Sequence, residues 1–215
     1  MEPQPEPHAF TVPRPGQPAP EFRARTTRGE RALSDYRGRW LVLFSHPADF
    51  TPVCTSEFIA LAKAADRFAE LNCDLLGLSV DSLSSHLAWV ASIREQFGVE
   101  VPFPLLEDPS MAVALAYGML DPAAGDTATV RASFFIDPQG LVRASHWYPL
   151  NIGRCVDEML RLLAALQESD RTGGSTPANW RPGEPLLVSP AEALEAAMAE
   201  PEALKGDWYC RTRAA

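Results

Sequence analysis

This sequence predicts an α/β sandwich built on a mixed central sheet, and three observations carry that expectation. Two short, almost wholly apolar runs, "WLVLFS" (40–45) and "DLLGLSV" (74–80), bracket a helical stretch. Runs of that length suit buried strands, and strand–helix–strand is a unit with a parallel pair. Further on, "RASFFID" and "LVRASHW" flank Asp137-Pro138-Gln139-Gly140, a strong hairpin turn that adds antiparallel strands. Third, the chain is long enough to bury a core: 215 residues, 46% of them hydrophobic, suit one principal domain with a small appendage.

The elements follow in order. "EFRARTTRGERALSDYRGR" (21–39) reads as a hairpin turning at Arg28-Gly29, with Phe22 and Leu33 on its strands. After the strand 40–45 comes a helix whose apolar stripe is Phe58, Leu61, Ala62, Ala65, Phe68 and Ala69. A second helix spans Ser82 to Phe97, with Gly98 at its end. "VPFPLLEDP" reads as a proline-broken loop, and "SMAVALAYG" as a short helix stopped by Gly118. A helix from Gly153 to about Gln167 is expected to bury Cys155, Met159, Leu162, Leu163 and Leu166. Residues 168–185 have linker composition, and Ser189-Pro190-Ala191-Glu192 is a capping box with proline at the first helical position. The order β-α-β-α, then hairpin, then α, is the layout of a thioredoxin-like sandwich. Four segments are expected: a flexible arm over 1–13, the sandwich over 14–167, a linker over 168–185 and a C-terminal arm over 186–215.

Charge and composition narrow the function. The net charge is −9, and no basic block or stripe occurs, which argues against nucleic acid or an anionic membrane as partner. No apolar run approaches the ~20 residues of a spanning helix. The acidic, proline-rich "MEPQPEPHAFTVPRPGQPAP" lacks the basic and apolar regions of a signal peptide, so a cytoplasmic protein is expected. The four cysteines, Cys54, Cys73, Cys155 and Cys210, form no CxxC pair, so neither zinc nor any other metal or cofactor is expected. A static disulfide framework does not suit a reducing compartment. Each cysteine is therefore core filler or a reactive thiol.

"HPADFTPVCTSEF" (46–58) singles out Cys54. With Thr51 at the helix N-cap and Pro52 at N1, Cys54 falls at N3. Unpaired amides and the positive end of the helix dipole surround it there, and both stabilise negative charge on sulfur. On position alone it is either a poised nucleophile or a buried structural cysteine. Thr51 occupies the slot where a redox helix would carry its first CxxC thiol, so no disulfide can form within the motif. A hydroxyl beside a thiolate instead suits a small oxygen substrate such as a peroxide.

Pro47-Ala48-Asp49-Phe50-Thr51-Pro52-Val53-Cys54 resembles the PxxxTxxC loop of peroxiredoxins, and "FSHPADFTPVCTSEF" is similar to the one-cysteine subfamily. "SVDSLSSHLAWV", "VPFPLLEDP", "YGMLDP", "TVRASFFIDPQG", "YPLNIGRCVDEMLRLLAALQ" and "TPANWRPGEPLLVSP" have family counterparts in the same order, covering roughly residues 14 to 190. The resemblance implies a thiol-dependent peroxidase. It reduces hydrogen peroxide and organic hydroperoxides through a cysteine sulfenic acid, and an external thiol or thioredoxin-like donor recycles it. Cys54 would attack the peroxide. Thr51 and the amides of Val53 and Cys54 would cradle it, and Pro47 would shield the thiolate. Arg131, in "TVRASFF", matches the family arginine beside the thiolate, and Arg154, in "NIGRCVDE", a second one. Their alternatives are a solvated strand-edge cation and a helix-start surface residue. His46 is a pocket neighbour or a packed, hydrogen-bonded group. Glu57 orients loop groups or faces solvent. The C-terminal arm is expected to clasp a second subunit in a homodimer, with a ring of dimers as a further assembly.

Departures refine the expectation. Some members carry a lipase-like serine just before the central strand; here Arg39 stands before Trp40, so no phospholipase activity is expected. The tail "KGDWYCRTR" resembles the cysteine-bearing tail of archaeal-type members, which implies Cys210 as a resolving thiol and a Cys54–Cys210 disulfide between subunits. Cys73 and Cys155 are expected to be inert. A disulfide reductase and a redox-regulated scaffold are the rival readings, and neither accounts for Thr51, Cys54 and Arg131 together.

Overall fold

The computed structural model describes residues 12–120, 125–199 and 208–213. The arm expected over 1–13 lies almost wholly outside the described residues. The chain divides into two compact units, Met1–Val156 and Asp157–Ala215.

The first unit is built on seven strands: β1 (Arg23–Thr26), β2 (Gly29–Ala32), β3 (Trp40–Ser45), β4 (Cys73–Ser79), β5 (Leu105–Glu107), β6 (Arg131–Ile136) and β7 (Val142–Tyr148). They form one sheet in the order β2-β1-β5-β4-β3-β6-β7. β4 runs parallel to β3 and β5, while β6 runs antiparallel to β3 and β7. This is a thioredoxin-like fold with a mixed sheet. All six β3 residues are buried, as expected of a central strand covered on both faces. Helices α1 (Pro52–Glu70), α2 (Leu83–Phe97) and α3 (Ala112–Ala116) complete the unit.

Three local readings need correction. The first hairpin turns over Thr27-Arg28, because Gly29 already pairs with Thr26 and takes the left-handed backbone (φ +87°) at the head of β2. Phe22 and Leu33 flank the strands rather than lying on them, though both are buried. The segment "VPFPLLEDP" contains a strand: once past Pro102 and Pro104, Leu105–Glu107 pair with β4, and Leu106 pairs with Thr26 of β1. On α1 the buried stripe is Cys54, Glu57, Phe58, Leu61, Ala64 and Phe68, so Ala62, Ala65 and Ala69 lie off it and a carboxylate lies on it.

In the second unit helix α4 (Val156–Thr172) starts later and ends later than expected. Asp157 and Glu158 occupy its first turn, where the dipole favours acids. Its last turn is held by the Arg171–Glu168 pair at 2.6 Å and by the Thr172 hydroxyl donating to the Glu168 carbonyl at 2.7 Å. Gly173 then ends it with φ +66°. Cys155 precedes this helix and is exposed, not buried. The buried positions of α4 are Met159, Leu160, Leu163 and Ala165, with Leu162 and Leu166 half-buried. Trp180 packs with Ala165 and Leu186, and strands β8 (Leu186–Leu187) and β9 (Thr212–Arg213) pair antiparallel. The capping box of α5 (Pro190–Ala199) forms: the Ser189 amide donates to Glu192 Oε2 at 3.0 Å, and the Glu192 amide donates to Ser189 Oγ at 3.2 Å.

Aromatic rings of β3 and α1 support the C-terminal end of the sheet. Phe44 and Phe58 meet edge to face at 5.5 Å, and both close on Phe103. Gly77 of β4 gives them room: a Cβ there would stand 3.2 Å from the Phe58 ring and 3.3 Å from the Phe44 ring. A Gly77→Ala variant is expected to lose ~1–3 kcal/mol by overpacking. Urea unfolding measures this, and a midpoint equal to wild type would show that the rings yield freely.

Candidate active site

β3 ends at Ser45, and residues 46–51 form a loop leading into α1. Thr51 has extended N-cap backbone (φ −101°, ψ 150°) and Pro52 opens the helix, so Cys54 stands at N3 with no exposed surface. The Thr51 side chain does not cap the helix: its hydroxyl donates to the Ala48 carbonyl at 2.9 Å. The oxygen lone pairs therefore remain as acceptors at the mouth of the loop. Phe50 turns the loop with φ +57° and is 58% exposed.

Arg131, the first residue of β6, is 2% exposed. Its Nη1 donates to Cys54 Sγ at 3.2 Å and to Glu57 Oε2 at 2.8 Å. Its Nε and Nη2 donate to the Leu150 carbonyl at 2.9 and 2.7 Å. Arg154 grips the same carboxylate from the other side. Its Nε and Nη2 donate to Glu57 at 2.9 and 2.8 Å, and its backbone amide donates at 2.8 Å. Its Nη1 reaches the Ala132 carbonyl at 3.0 Å and Ser133 Oγ at 3.2 Å, and its guanidinium lies 5.1 Å from the Phe44 ring centroid. Both surface readings of these arginines, and the solvent-facing reading of Glu57, are thus overturned.

Burial pushes the Glu57 carboxyl up, but the bonds and charge of Arg154, with the charge of Arg131, outweigh it and hold the group below its ordinary 4.5. Two cations and one anion leave the cluster one positive charge in excess, and the sulfur is the group against which that charge rests. A thiolate would balance it.

His46 is fully buried and bonds Asp49 rather than a member of this cluster. Its Nε2 bonds Asp49 Oδ1 at 2.9 Å, and its ring packs against Phe58 and Trp89 at 4.9 and 5.2 Å. Asp49 also meets His86 Nδ1 at 2.8 Å, and its backbone amide donates to Asp81 Oδ2 at 3.0 Å. Burial pushes the Asp49 carboxyl up, yet the two imidazole bonds outweigh it and hold it well below the carboxylate range. Burial lowers His46, with the Asp49 bond opposing. The trio's polar atoms lie within 4.8 Å of one another, and hydrogen bonds among the three account for that approach.

Sequence reading therefore names Cys54, Thr51, Arg131 and Arg154, which two loops, one helix and one strand bring together. Pro47 and Val53 lie half-buried on the same loop and first turn. Missed were the central place of Glu57 and the Asp49–His86 link. A carboxylate at stripe spacing, three residues after Cys54, was the signal for the first. Cys210 lies exposed in the second unit. Cys73 is buried, and burial pushes its thiol well up, with the Asp74 charge adding to the shift. A groove of 460 Å³ lined by Phe50, Thr51, Pro52, Thr55 and Trp89 runs beside the loop. The larger cavity, 540 Å³ under Tyr36 and Cys73, contains none of these site residues.

A thioredoxin-like domain holding a lone helix-N3 cysteine against an arginine defines a thiol-chemistry protein. Comparison gives the family. Residues 15–145 match the AhpC/TSA family, and residues 165–201 match the C-terminal domain of 1-Cys peroxiredoxin. The chain is 48% identical over 202 residues to peroxiredoxin 2 of Caldanaerobacter subterraneus subsp. tengcongensis, covering 92% of this chain and 91% of that one. It is 54% identical over 173 residues to a peroxiredoxin of Aquifex aeolicus, covering 80% and 78%. The solved structure of a yeast mitochondrial 1-Cys peroxiredoxin superposes with a TM-score of 0.84 at 37% identity, covering 94% and 99%. The chain belongs to the peroxiredoxins, a family of enzymes that reduce peroxides with a thiol.

Glu57 is held low in the folded state, so its contribution to stability is present above its unfolded value. It is lost as pH falls toward the folded value. Glu57→Gln is expected to cost about 3–5 kcal/mol at neutral pH, because it leaves buried guanidiniums without their counter-charge. Its melting temperature is also expected to fall less steeply than wild type on acidification below 4.5. Thermal melts across pH 3–7 (the lower bound roughly one unit under the ordinary carboxylate value) check both. Parallel curves would remove Glu57 as a source of acid sensitivity.

Proposed function

We propose that this peroxiredoxin works through a sulfenic acid on Cys54, and that a second thiol, followed by a thioredoxin- or glutathione-type donor, returns it to the reduced state. The observation carrying the reading is the Arg131 Nη1 to Cys54 Sγ contact of 3.2 Å at the first turn of α1. The Cys54 thiolate attacks one peroxide oxygen in line with the O–O bond. An S–O bond forms, the O–O bond breaks, and the leaving oxygen takes a proton and departs as water or an alcohol. Arg131 and the first-turn amides of Val53 and Cys54 stabilise the charge that builds on oxygen. The Thr51 oxygen accepts the peroxide hydrogen and aligns the O–O bond. Pro47 covers the sulfur, and Arg154 holds Arg131 in place through Glu57.

Cys210 is the proposed resolving thiol. It attacks the sulfenic sulfur of a partner subunit, a disulfide forms, and water leaves. Its exposure, and that of Tyr209 at 72%, support a tail surface available to another subunit. The edge position of β7 and the exposed Trp147, Leu150 and Ile152 support a homodimer. The match to the 1-Cys C-terminal domain, and the thiol resolving via glutathione/thioredoxin systems described for the yeast relative, support the recycling scheme.

Cys54→Ser is expected to abolish peroxide reduction with an unchanged fold; residual turnover above background would end this reading. Arg131→Ala should lower kcat/KM for hydrogen peroxide by ~10²–10³, measured by stopped flow. A change under twofold would remove it from the reacting centre. Cys210→Ser should react once with peroxide but lose thioredoxin-supported turnover. Normal turnover, with no Cys54–Cys210 peptide in the oxidised enzyme, would make the enzyme a one-cysteine type.

A further inference from the structure

A second set of buried groups is bonded to the loop, and the mechanism above does not use it. His86 stands near the start of α2 and is fully buried. Its Nδ1 lies 2.8 Å from Asp49 Oδ2, and its Nε2 lies 3.2 Å from the Leu106 carbonyl of β5. A carbonyl oxygen only accepts, and so does a carboxylate. The Asp49 carboxylate presents one oxygen to His46 and the other to His86, and the Leu106 carbonyl faces the second nitrogen, so the geometry gives both ring nitrogens of His86 acceptor partners to which they donate.

The surroundings fit a cation. Asp49 faces the ring from the loop, and Glu107, next to Leu106, from β5. Asp81 stands behind Asp49, accepting its backbone amide. His46 approaches to 6.0 Å between ring centroids, and among the described residues its Nδ1 has no partner, as for a neutral ring with a bare lone pair. The positive end of α2 opposes a charge on His86, and two carboxylates offset that. Asp49 is thus tied at three points: to His46, to His86 and, through its amide, to Asp81. It lies two residues before Thr51, whose hydroxyl is bonded to Ala48 of the same loop.

We propose that His86 is a positioning residue for peroxide reduction: as a doubly protonated imidazolium it locks Asp49, and so holds the 46–51 loop in the geometry that lets Thr51 align the peroxide. The inference rests on the reading of Thr51 and Cys54 above. It separates two properties of the site. The nucleophilicity of the sulfur belongs to the α1 first turn and Arg131. The alignment of the O–O bond belongs to the loop and depends on His86.

The test uses the reduced full-length protein. Nitrogen-15 imidazole spectra at neutral pH should show both nitrogens of His86 protonated and one nitrogen of His46 bare. In His86→Phe, kcat/KM for hydrogen peroxide should fall ~10–100-fold, the scale expected for a loop displaced by about an ångström. Alkylation of Cys54 by iodoacetamide, which needs the thiolate but no alignment, should stay within about twofold of wild type. Asp49→Asn should give the same split, and serves where His86→Phe does not fold. A single protonated nitrogen on wild-type His86 would overturn the proposal. So would an unchanged peroxide rate in the folded variants, or peroxide and alkylation rates falling by the same factor. Failure of the underlying reading looks different: the Cys54→Ser variant would then keep peroxide activity.

Discussion

One buried carboxylate decides the architecture of the sulfur's surroundings. Glu57 receives four hydrogen bonds, one from Arg131 and three from Arg154. Without it, two guanidiniums at 2% and 7% exposure would be uncompensated charges in a low-dielectric interior, a cost of several kcal/mol each. With it, they are rigid. Arg131 has no rotamer freedom left, because the Leu150 carbonyl holds its Nε and Nη2 while Glu57 and Cys54 share its Nη1. A pre-set donor costs no reorganisation when charge develops beside it. Stability and chemistry therefore draw on the same bonds.

The sheet brings those groups together. β3 and β6 pair antiparallel with Phe44 opposite Ser133, so the start of β6 lies beside the end of β3. Side chains reinforce that junction: Ser45 Oγ donates to the Val130 carbonyl at 2.5 Å and accepts from the Ala132 amide at 3.1 Å. The Thr129 hydroxyl donates to the His46 carbonyl at 2.7 Å. A loop leaving β3 is thereby fixed relative to an arginine opening β6, although 77 residues separate Cys54 from Arg131. On α1, spacing does the rest: Cys54, Glu57, Phe58 and Leu61 share one face, so the helix presents thiol and carboxylate together and buries both.

Strands β1 to β4, β6 and β7, the first two helices and the thiol's place at N3 were legible because local rules set them: apolar runs, turn residues, a proline at N1 and a glycine with left-handed backbone after Phe97. The three-residue strand β5 was not, since Leu105–Glu107 offers no pattern of its own and is a strand only because β4 and β1 accept it. The buried stripe of α1 was displaced because alanine reports weakly on burial, while the buried Glu57 reads as polar. Cys155 looked like part of an apolar stripe, but the helix begins one residue after it, and element ends are where pattern is weakest. Of the site, local position and residue type marked Cys54 and Thr51, and the family resemblance marked Arg131 and Arg154. The bonds that bind Arg154 to Glu57, and Asp49 to His86, link residues 97 and 37 positions apart, and no local rule reaches that far.

Two charged clusters flank the loop and first turn, and their balances differ. At Asp49 hydrogen bonds run to two imidazoles and, through its amide, to the Asp81 carboxylate, so the bonds of this cluster close on its own members. In the other cluster Arg131 and Arg154 share the single carboxylate of Glu57, leaving one positive charge without a fixed counterpart. Of the groups touching that guanidinium pair, the sulfur of Cys54 is the one that can supply the missing negative charge. A cluster whose bonds close on its own members serves to hold backbone in place. An unbalanced one exerts a field. The fold thus pairs a hydrogen-bonded carboxylate network on the 46–51 loop with an uncompensated cation beside the sulfur, and on the proposed reading that distribution suits attack by a thiolate on a neutral O–O bond.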